Sequence, residues 1–209
     1  RYGGVDRSQS GPTVAQTWHM AKRRASSDRS KRPLGAAKLD ELALAYVARF
    51  ATSRAKLTRY LSRKVRESEW MDEIDAMAAC EAIADRMERL RYLDDRQYAA
   101  MRAGAMTRRG LGVRRVKAQL YVDGIAEDDS GDAIAAAENA AVAAAVGFAR
   151  RRRFGPFATH SSDDPKQRER QIAAFLRAGH SMTIARLILG VPPGDEAGLA
   201  ALDDEAALD

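Results

Sequence analysis

Residues 90–124 constrain the fold most, because they predict two helices joined by a tight glycine turn. Asp94 or Asp95 is suited to cap the first helix, and Gly110 and Gly112 are suited to end it, since glycine adopts positive φ angles at little cost. Apolar residues at spacings of three and four predict the buried side of the second helix: Val113, Val116 and Leu120. Two such helices cannot bury their apolar sides alone, so the stretch predicts one part of a helical array.

Helices of the same kind recur around Leu57, Leu120 and Leu176, at intervals long enough for three helices. Gly179 follows Leu176 one residue sooner than Gly124 follows Leu120, so the third repeat departs from the pattern and the register of that helix end stays open. Few β-branched residues and an aromatic content of 6% favour packed helices with small aliphatic cores. The predicted fold is all-α, an elongated array of three tandem three-helix repeats at residues 37–91, 92–138 and 139–191.

The net charge of +6 is unevenly distributed, which predicts a flanking segment at each end. Residues 1–38 carry +7, and residues 192–209 carry −6. The sequence therefore predicts a disordered basic arm at 1–36 and a mobile acidic tail at 192–209. Trp18 in the arm is suited to stack on a base or dock on a partner, and chance exposure explains it equally well. The chain starts with Arg1 rather than Met, which suggests that the true N-terminus is missing.

Two helix boundaries stay open in the sequence. The third helix of the first repeat is predicted to begin at Asp72 or Glu73, where a carboxylate precedes apolar residues at helical spacing. Within residues 132–153, Gly147 is the one strong helix breaker. The last helix of the second repeat therefore either continues into the third repeat or bends at Asn139.

Three motifs resemble the RecX family of recombinase regulators. They are a Leu-x-Tyr-Leu-Asp-Asp-x-x-Tyr-Ala run at 90–99, an Arg-Arg-Gly-x-Gly turn at 108–112 and an Asp-Gly-Ile helix end at 123–125. The likeness extends over residues 39–191. It implies tandem three-helix repeats in a monomer that binds the RecA filament and usually inhibits it, in recombination, DNA repair and the SOS response. DNA within or beside the filament is a second candidate partner.

The sequence lacks the residue patterns of an active site. Carboxylate pairs occur at 94–95, 128–129, 163–164 and 203–204. Neighbouring helix side chains point about 100° apart, and three of the pairs lie where a helix begins, so caps explain them better than a two-metal nuclease site. The sequence contains three histidines, and none has a cysteine or a second histidine at the spacing of metal ligands: they are His19, His160 and His180. Because phosphate-binding loops and nucleophile elbows are also missing, we predict a binding protein with no cofactor and no metal, and not an enzyme.

Cysteine content and hydropathy bear on the cellular compartment. The single cysteine, Cys80, excludes an internal disulfide and favours a reducing environment, so the predicted location is cytoplasmic. The most apolar stretch, residues 133–149, is mostly alanine and contains Glu138 and Asn139. It is too short and too weakly hydrophobic to span a bilayer, and we predict no membrane partner.

Basic side chains supply the predicted binding surface. The predicted filament- or DNA-facing residues are Arg108, Arg109, Arg114, Arg115, Lys117, Arg150, Arg151, Arg152 and Arg153. Six more basic residues crowd the helix after Ser53: Arg54, Lys56, Arg59, Arg63, Lys64 and Arg66. Four consecutive arginines wrap around a helix, so they cannot all face one partner, and solvated helix faces explain such residues about equally well. The alternative function is a helical DNA-binding transcriptional regulator, since a glycine-turned helix pair also suits a helix-turn-helix.

Overall fold

The computed structural model describes residues 31–161 and 164–205, which form ten α-helices and two short strands. The helices are α1 (Ala36–Arg49), α2 (Arg54–Glu67), α3 (Ala76–Arg89), α4 (Asp95–Arg108), α5 (Val113–Asp123), α6 (Glu127–Asn139), α7 (Ala141–Arg152), α8 (Pro165–Ala178), α9 (Met182–Gly190) and α10 (Glu196–Glu205). The strands are β1 (Arg32–Leu34) and β2 (Ser68–Trp70), and a 3₁₀ helix spans Gly155–Phe157. The prediction of an all-α repeat fold is confirmed.

Three separate hydrophobic clusters hold the helices in groups of three. In the first repeat (α1–α3), Leu39, Leu57 and Met87 are fully buried. The second repeat (α4–α6) packs around Val116 and Leu120, and the third (α7–α9) packs around Phe175 and Ile188. Each cluster draws on all three helices of its own group, as expected for repeat proteins. The predicted limits of the repeats at 91/92 and 138/139 stay a prediction.

Side-chain caps begin most of the helices. Asp94 accepts a hydrogen bond from Gln97 N at 2.8 Å and caps α4, and Ser181 accepts one from Ile184 N at 3.1 Å and caps α9. The prediction that α3 begins at Asp72 or Glu73 is wrong, since its cap is Asp75. Asp72 instead accepts a hydrogen bond from Ala36 N, so it serves the first turn of α1 across the fold.

Glycines end the middle helices of the second and third repeats in the same way. Gly124 and Gly179 both adopt the left-handed conformation, with φ of 77° and 96°. Leu120 lies four residues before Gly124 and is buried, and the buried residue four before Gly179 is Phe175. The register that the sequence left open is therefore the same in both repeats, because Phe175 rather than Leu176 corresponds to Leu120.

The middle helices of successive repeats meet head to tail at two junctions. At the α8–α5 junction, Gly112 N donates to Ala178 O at 2.9 Å and Arg114 N donates to Gly179 O at 3.2 Å. At the α5–α2 junction, the Ser53 hydroxyl donates to Asp123 O at 2.7 Å. At both junctions a donor at the start of one helix thus binds a carbonyl at the end of another, so the positive end of one helix dipole meets the negative end of the next.

The segments that flank the repeats are more regular than predicted. Residues 32–34, assigned to a disordered arm, form β1 in a parallel pair with β2, because Leu34 is buried in the first core and Leu34 O accepts from Met71 N. The prediction for residues 1–30, including Trp18, lies outside the described residues. The acidic segment predicted to be a mobile tail contains α10, where Asp195 accepts from Gly198 N at 2.8 Å.

The open question of the helix between the second and third repeats has a definite answer. α6 ends at Asn139, α7 begins at Ala141, and their axes differ by 61°. Ala140 forms the bend with φ −94° and ψ 11°. The helix is therefore broken rather than continuous, and this bend turns the chain into the third core.

Candidate functional site

The exposed side of α5 carries three of the predicted basic residues. Arg114 and Arg115 lie in its first turn, are exposed, and form no ion pair with any residue that the structure describes. Lys117, one turn later, binds Glu138 Oε1 at 2.8 Å. Because exposed ion pairs contribute little, Lys117 remains available to a partner at small cost. The first half of α5 is therefore a basic surface.

A second basic group forms where α4 and α7 approach each other. The Arg151 guanidinium donates a hydrogen bond to the main-chain carbonyl of Arg109, just after the end of α4. Arg108 occupies the last turn of α4 and is exposed. The structure thus brings Arg109 and Arg151 together, although the two residues lie 42 positions apart in the chain.

The other arginines of α7 point in different directions. The Arg150 guanidinium lies 5.0 Å from the ring centre of Phe157, and that of Arg152 lies 5.8 Å from the ring centre of Phe148. Arg153 follows the helix in the left-handed conformation, with φ of 56°. These three side chains do not join Arg151 in one cluster, which fits their distribution around a helix.

The basic residues of α2 are mostly engaged within the protein. Arg54 forms ion pairs with three carboxylates of α3, those of Glu81, Asp85 and Glu88. The hydrogen bonds that the Arg54 guanidinium donates to Glu81 and Asp85 raise its pKa. Arg63 and Lys64 both pair with Glu67, at 3.8 and 3.0 Å. This face of α2 is therefore largely neutralised, and α5 presents the more open basic surface.

The α5–α2 junction contains a buried polar network that the sequence did not predict. Asp123 is only 3% exposed, and its carboxylate accepts hydrogen bonds from Tyr98 at 2.9 Å and Gln119 at 3.0 Å. Lys56 Nζ lies 3.4 Å away, and Arg102 Nε 3.5 Å away. Burial raises the pKa of Asp123, but the bonds from Tyr98 and Gln119 and the Lys56 charge outweigh it, so the pKa is lowered.

The α8–α5 junction contains a buried histidine instead. His180 is 1% exposed, and its Nε2 donates to Gly110 O at 3.1 Å, since a carbonyl can only accept. Nδ1 has no hydrogen-bond partner in the described part of the chain, and the centre of the ring lies 5.5 Å from the ring centres of both Phe148 and Phe175. Burial lowers the pKa of His180, against the opposing effect of the Gly110 hydrogen bond. A neutral ring therefore fills this junction.

The α8–α5 junction also bears on the alternative of a helix-turn-helix. A recognition helix inserts its N-terminal residues into the major groove. Here the N-terminus of α5 is packed against the end of α8, so closely that a Cβ on Gly112 would lie 2.4 Å from the Gly179 carbonyl oxygen. This packing counts against a transcriptional regulator that uses α5 as its recognition helix.

Metal-binding and membrane-spanning features were sought among the described residues. No group of three or more histidine, cysteine or acidic side chains there is arranged to hold a metal ion. No single helix in the same part of the chain is long and apolar enough to cross a membrane. The bent pair Glu127–Asn139 and Ala141–Phe157 passes that test by length and composition only.

Two curated proteins similar to this chain are both described as regulatory protein RecX. No family model matches the sequence. Regulatory protein RecX from Myxococcus xanthus strain DK1622 is 31% identical over 160 residues, which cover 74% of this chain and 86% of the relative. The chain belongs to the RecX family. Regulatory protein RecX from Agrobacterium fabrum strain C58 is 30% identical over 102 residues, or 49% of this chain and 54% of the relative.

A solved structure of the RecX family agrees with the fold. The crystal structure of regulatory protein RecX matches with a TM-score of 0.54 at 18% identity, over 86% of this chain and 80% of that one. The RecX-like motifs of this chain have structural roles at its caps and junctions. Asp94 caps α4, the Tyr98 hydroxyl binds Asp123, and Gly112 and Gly124 allow the close contacts between helices.

Sequence reasoning missed the polar and exposed residues of the junctions. Asp123 had a usable signal, because it follows Val116 and Leu120 at helical spacing and so falls on the buried side of α5. Lys56 gave none, since it meets Tyr98 and Asp123 only through the packing of the first repeat against the second. Tyr121, which the structure places 85% exposed on α5, was also missed.

Proposed function

We propose that this RecX-family chain binds the RecA recombinase filament and inhibits its assembly and activity in recombination, DNA repair and the SOS response. It acts in the cytoplasm as a monomer, by binding rather than by catalysis. Membership of the family supports the partner, and the resemblance described above supports inhibition.

The observation that carries the proposed binding surface is the exposed pair Arg114 and Arg115. Both side chains extend from the first turn of α5, with no ion pair to the described residues to hold them. The α4–α7 group of Arg108, Arg109 and Arg151 adds further positive charge in the described part of the chain. Free guanidinium groups suit the phosphates of filament DNA or acidic parts of its protein coat.

Filament binding at several salt concentrations tests this surface. The variants are Arg114→Glu/Arg115→Glu and an Arg150-to-Arg153 replacement by glutamine, measured on filaments formed on single-stranded DNA. The matched control is Arg63→Glu/Lys64→Glu, which makes the same change of charge on α2, where both residues already pair with Glu67. Circular dichroism verifies that each variant is folded.

We expect the α5 variant to bind more weakly than the parent and the α2 control to bind almost normally. If α5 contacts phosphates, parent binding falls steeply between about 50 and 200 mM salt, and each lost contact flattens the slope by roughly one unit. Binding to naked DNA as tight as binding to filaments would favour the DNA-binding alternative. Parent affinity in the α5 variant at every salt concentration would exclude Arg114 and Arg115 from the interface.

A further inference from the structure

The second half of the exposed side of α5 differs from the first. Tyr121 is 85% exposed and Val122 is 59% exposed, although both are apolar residues on an ordered helix. In the third repeat, the residue at the position of Tyr121 is Leu176, three before the capping glycine, and it is half-buried. Two adjacent apolar side chains with this exposure form a patch that its own repeat leaves uncovered.

Tyr121 and Val122 form one wall of a groove between the first and second repeats. The groove has a volume of about 660 Å³. Its lining includes small residues, Ala55, Gly124 and Ala126, which leave room for an inserted side chain. The groove therefore offers a depression next to an exposed aromatic ring, the arrangement in which anchor residues of protein partners are usually found.

The rim of the groove is negatively charged. Four carboxylates line it, Glu81, Glu88, Asp95 and Asp129, against two basic residues. Both basic residues are already engaged, because Arg54 pairs with Glu81 and Glu88, and Arg59 donates to Val122 O at 3.0 Å. Burial, and then the nearby charges of Asp129 and Glu88, raise the pKa of Asp95 against the hydrogen bond from Arg54 N. Among the described residues that line the groove, carboxylates therefore outnumber basic side chains by four to two.

We propose that this groove binds a protein segment that carries an apolar anchor side chain beside lysine or arginine, presented by a recombinase subunit of the filament. The apolar anchor packs against Tyr121 and Val122, and the cation meets the carboxylates of Asp95 and Asp129. This inference rests on the proposed function and assigns to α5 two separate contacts along its length. The basic first half faces phosphate or acidic protein, and the apolar second half faces a basic protein segment.

Charge decides between protein and nucleic acid as the occupant. An exposed tyrosine near arginines can stack on a nucleic-acid base. A DNA strand in this groove, however, would bring its phosphates close to four carboxylates. Like charges within a few ångströms repel, so the acidic rim disfavours DNA here. A cationic protein segment gains from the same rim and places its apolar side chain in the groove.

Substitutions at positions outside the hydrophobic clusters test the groove without disturbing the core. Tyr121→Ala removes the anchor contact, and its matched control is Tyr92→Ala, another exposed tyrosine outside the groove. Asp129→Lys reverses the rim charge, and Asp128→Lys makes the same change at the neighbouring exposed residue, which does not line the groove. The readout is affinity for RecA filaments on single-stranded DNA across a salt series. A benzophenone amino acid in place of Tyr121 then identifies what contacts the groove after irradiation.

We expect Tyr121→Ala to weaken filament binding about tenfold or more, as for an interface anchor, with an unchanged salt slope. Asp129→Lys should also weaken binding, while both controls keep the parent affinity. Cross-links should form to a recombinase peptide that contains lysine or arginine.

Parent affinity in both Tyr121→Ala and Asp129→Lys, or cross-links to DNA alone, would overturn the inference. If those results accompany weakened binding of Arg114→Glu/Arg115→Glu, the proposed function stands and only the groove assignment fails. A parent protein that does not bind the filament at all overturns the proposed function and the groove assignment together.

Discussion

The two junctions between repeats have the same geometry and different chemistry. In each, a glycine with positive φ ends one middle helix, and the first turn of the neighbouring middle helix packs against it. The α5–α2 junction is held by side-chain charges and hydrogen bonds around Asp123. The α8–α5 junction is held by main-chain hydrogen bonds and by the aromatic packing of His180.

This difference shows that the contact between two helix ends restricts the glycine positions and not the side chains around them. A close approach of two helix ends requires glycine wherever a Cβ would meet main-chain atoms, whatever the surrounding side chains. The chemistry that stabilises the contact can vary, because either satisfied charges or packed rings can fill the remaining space. The two junctions should therefore share a sensitivity to added methyl groups and differ in their response to acid.

The largest effect is expected from Gly112→Ala. The added Cβ would lie 2.4 Å from the main chain of Gly179, although Gly112 has an ordinary negative φ, so the cost is steric. We expect a loss of about 3 kcal/mol in the free energy of unfolding, measured by denaturant titration. Gly131→Ala in the interior of α6, where nothing lies within 4 Å, should instead stabilise by about 0.5–1 kcal/mol. Equal stability of the two variants would mean that the helix ends at this junction are not in contact.

The next largest effect is expected from Asp123→Ala. The substitution removes the acceptor for Tyr98 and Gln119 and leaves Lys56 without its carboxylate. Because Lys56 is partly exposed, water stabilises its unpaired charge in part. We therefore expect the free energy of unfolding to fall by about 2 kcal/mol. Asp123→Asn keeps the size of the side chain and one acceptor oxygen, so its free energy of unfolding should fall by less. Parent stability in Asp123→Asn would show that the charge contributes nothing to the junction.

A third, smaller effect separates the junctions by pH. The pKa of His180 is lowered in the folded protein, so the unfolded chain takes up a proton first, near its usual value of about 6.5. Stability should therefore fall as pH decreases below about 6.5, by at most about 1.4 kcal/mol per pH unit. Thermal melts from pH 8 to pH 5 measure this fall. In His180→Gln, stability should depend less on pH between pH 8 and pH 5. In His160→Gln, which changes an exposed loop position, the dependence should match that of the parent. An unchanged slope in His180→Gln would assign the effect to other groups.

The sequence predicted the local features of the fold well. Asp94 was placed correctly as the cap of α4, because a cap acts on the main chain of its own helix. Asp95 was considered as a cap for α4, but its carboxylate accepts from Arg54 N at 2.8 Å and caps α2 in the preceding repeat. Only the packing of the two repeats brings these residues together, so local spacing could not reveal it.

The candidate site was less predictable than the fold. The sequence identified the basic residues, but it could not tell the exposed Arg114 from Arg54, which is surrounded by three carboxylates of another helix. In α4, Met101 is exposed, whereas Ala99 and Ala103 are buried. In an alanine-rich helix the apolar pattern has little contrast, so the larger residues alone do not identify the buried side.

The smallest effect is expected from Tyr98→Phe at the α5–α2 junction. The ring stays in its buried position, and only the hydroxyl that donates to Asp123 at 2.9 Å is lost, so we expect a loss of about 1 kcal/mol at pH 7. The pKa of Asp123 is lowered in the folded protein, so its contribution is present above its usual pKa and is lost as pH falls through the lowered one. The deficit of Tyr98→Phe should therefore shrink in melts at about pH 3, where a protonated carboxyl gains less from the hydroxyl. Tyr92→Phe, at an exposed position, is the control and should match the parent at both pH values. A deficit of the same size at pH 7 and pH 3 would mean that the Tyr98 hydroxyl acts through the hydrogen bond that it accepts from Lys56 Nζ at 2.9 Å rather than through the Asp123 carboxylate.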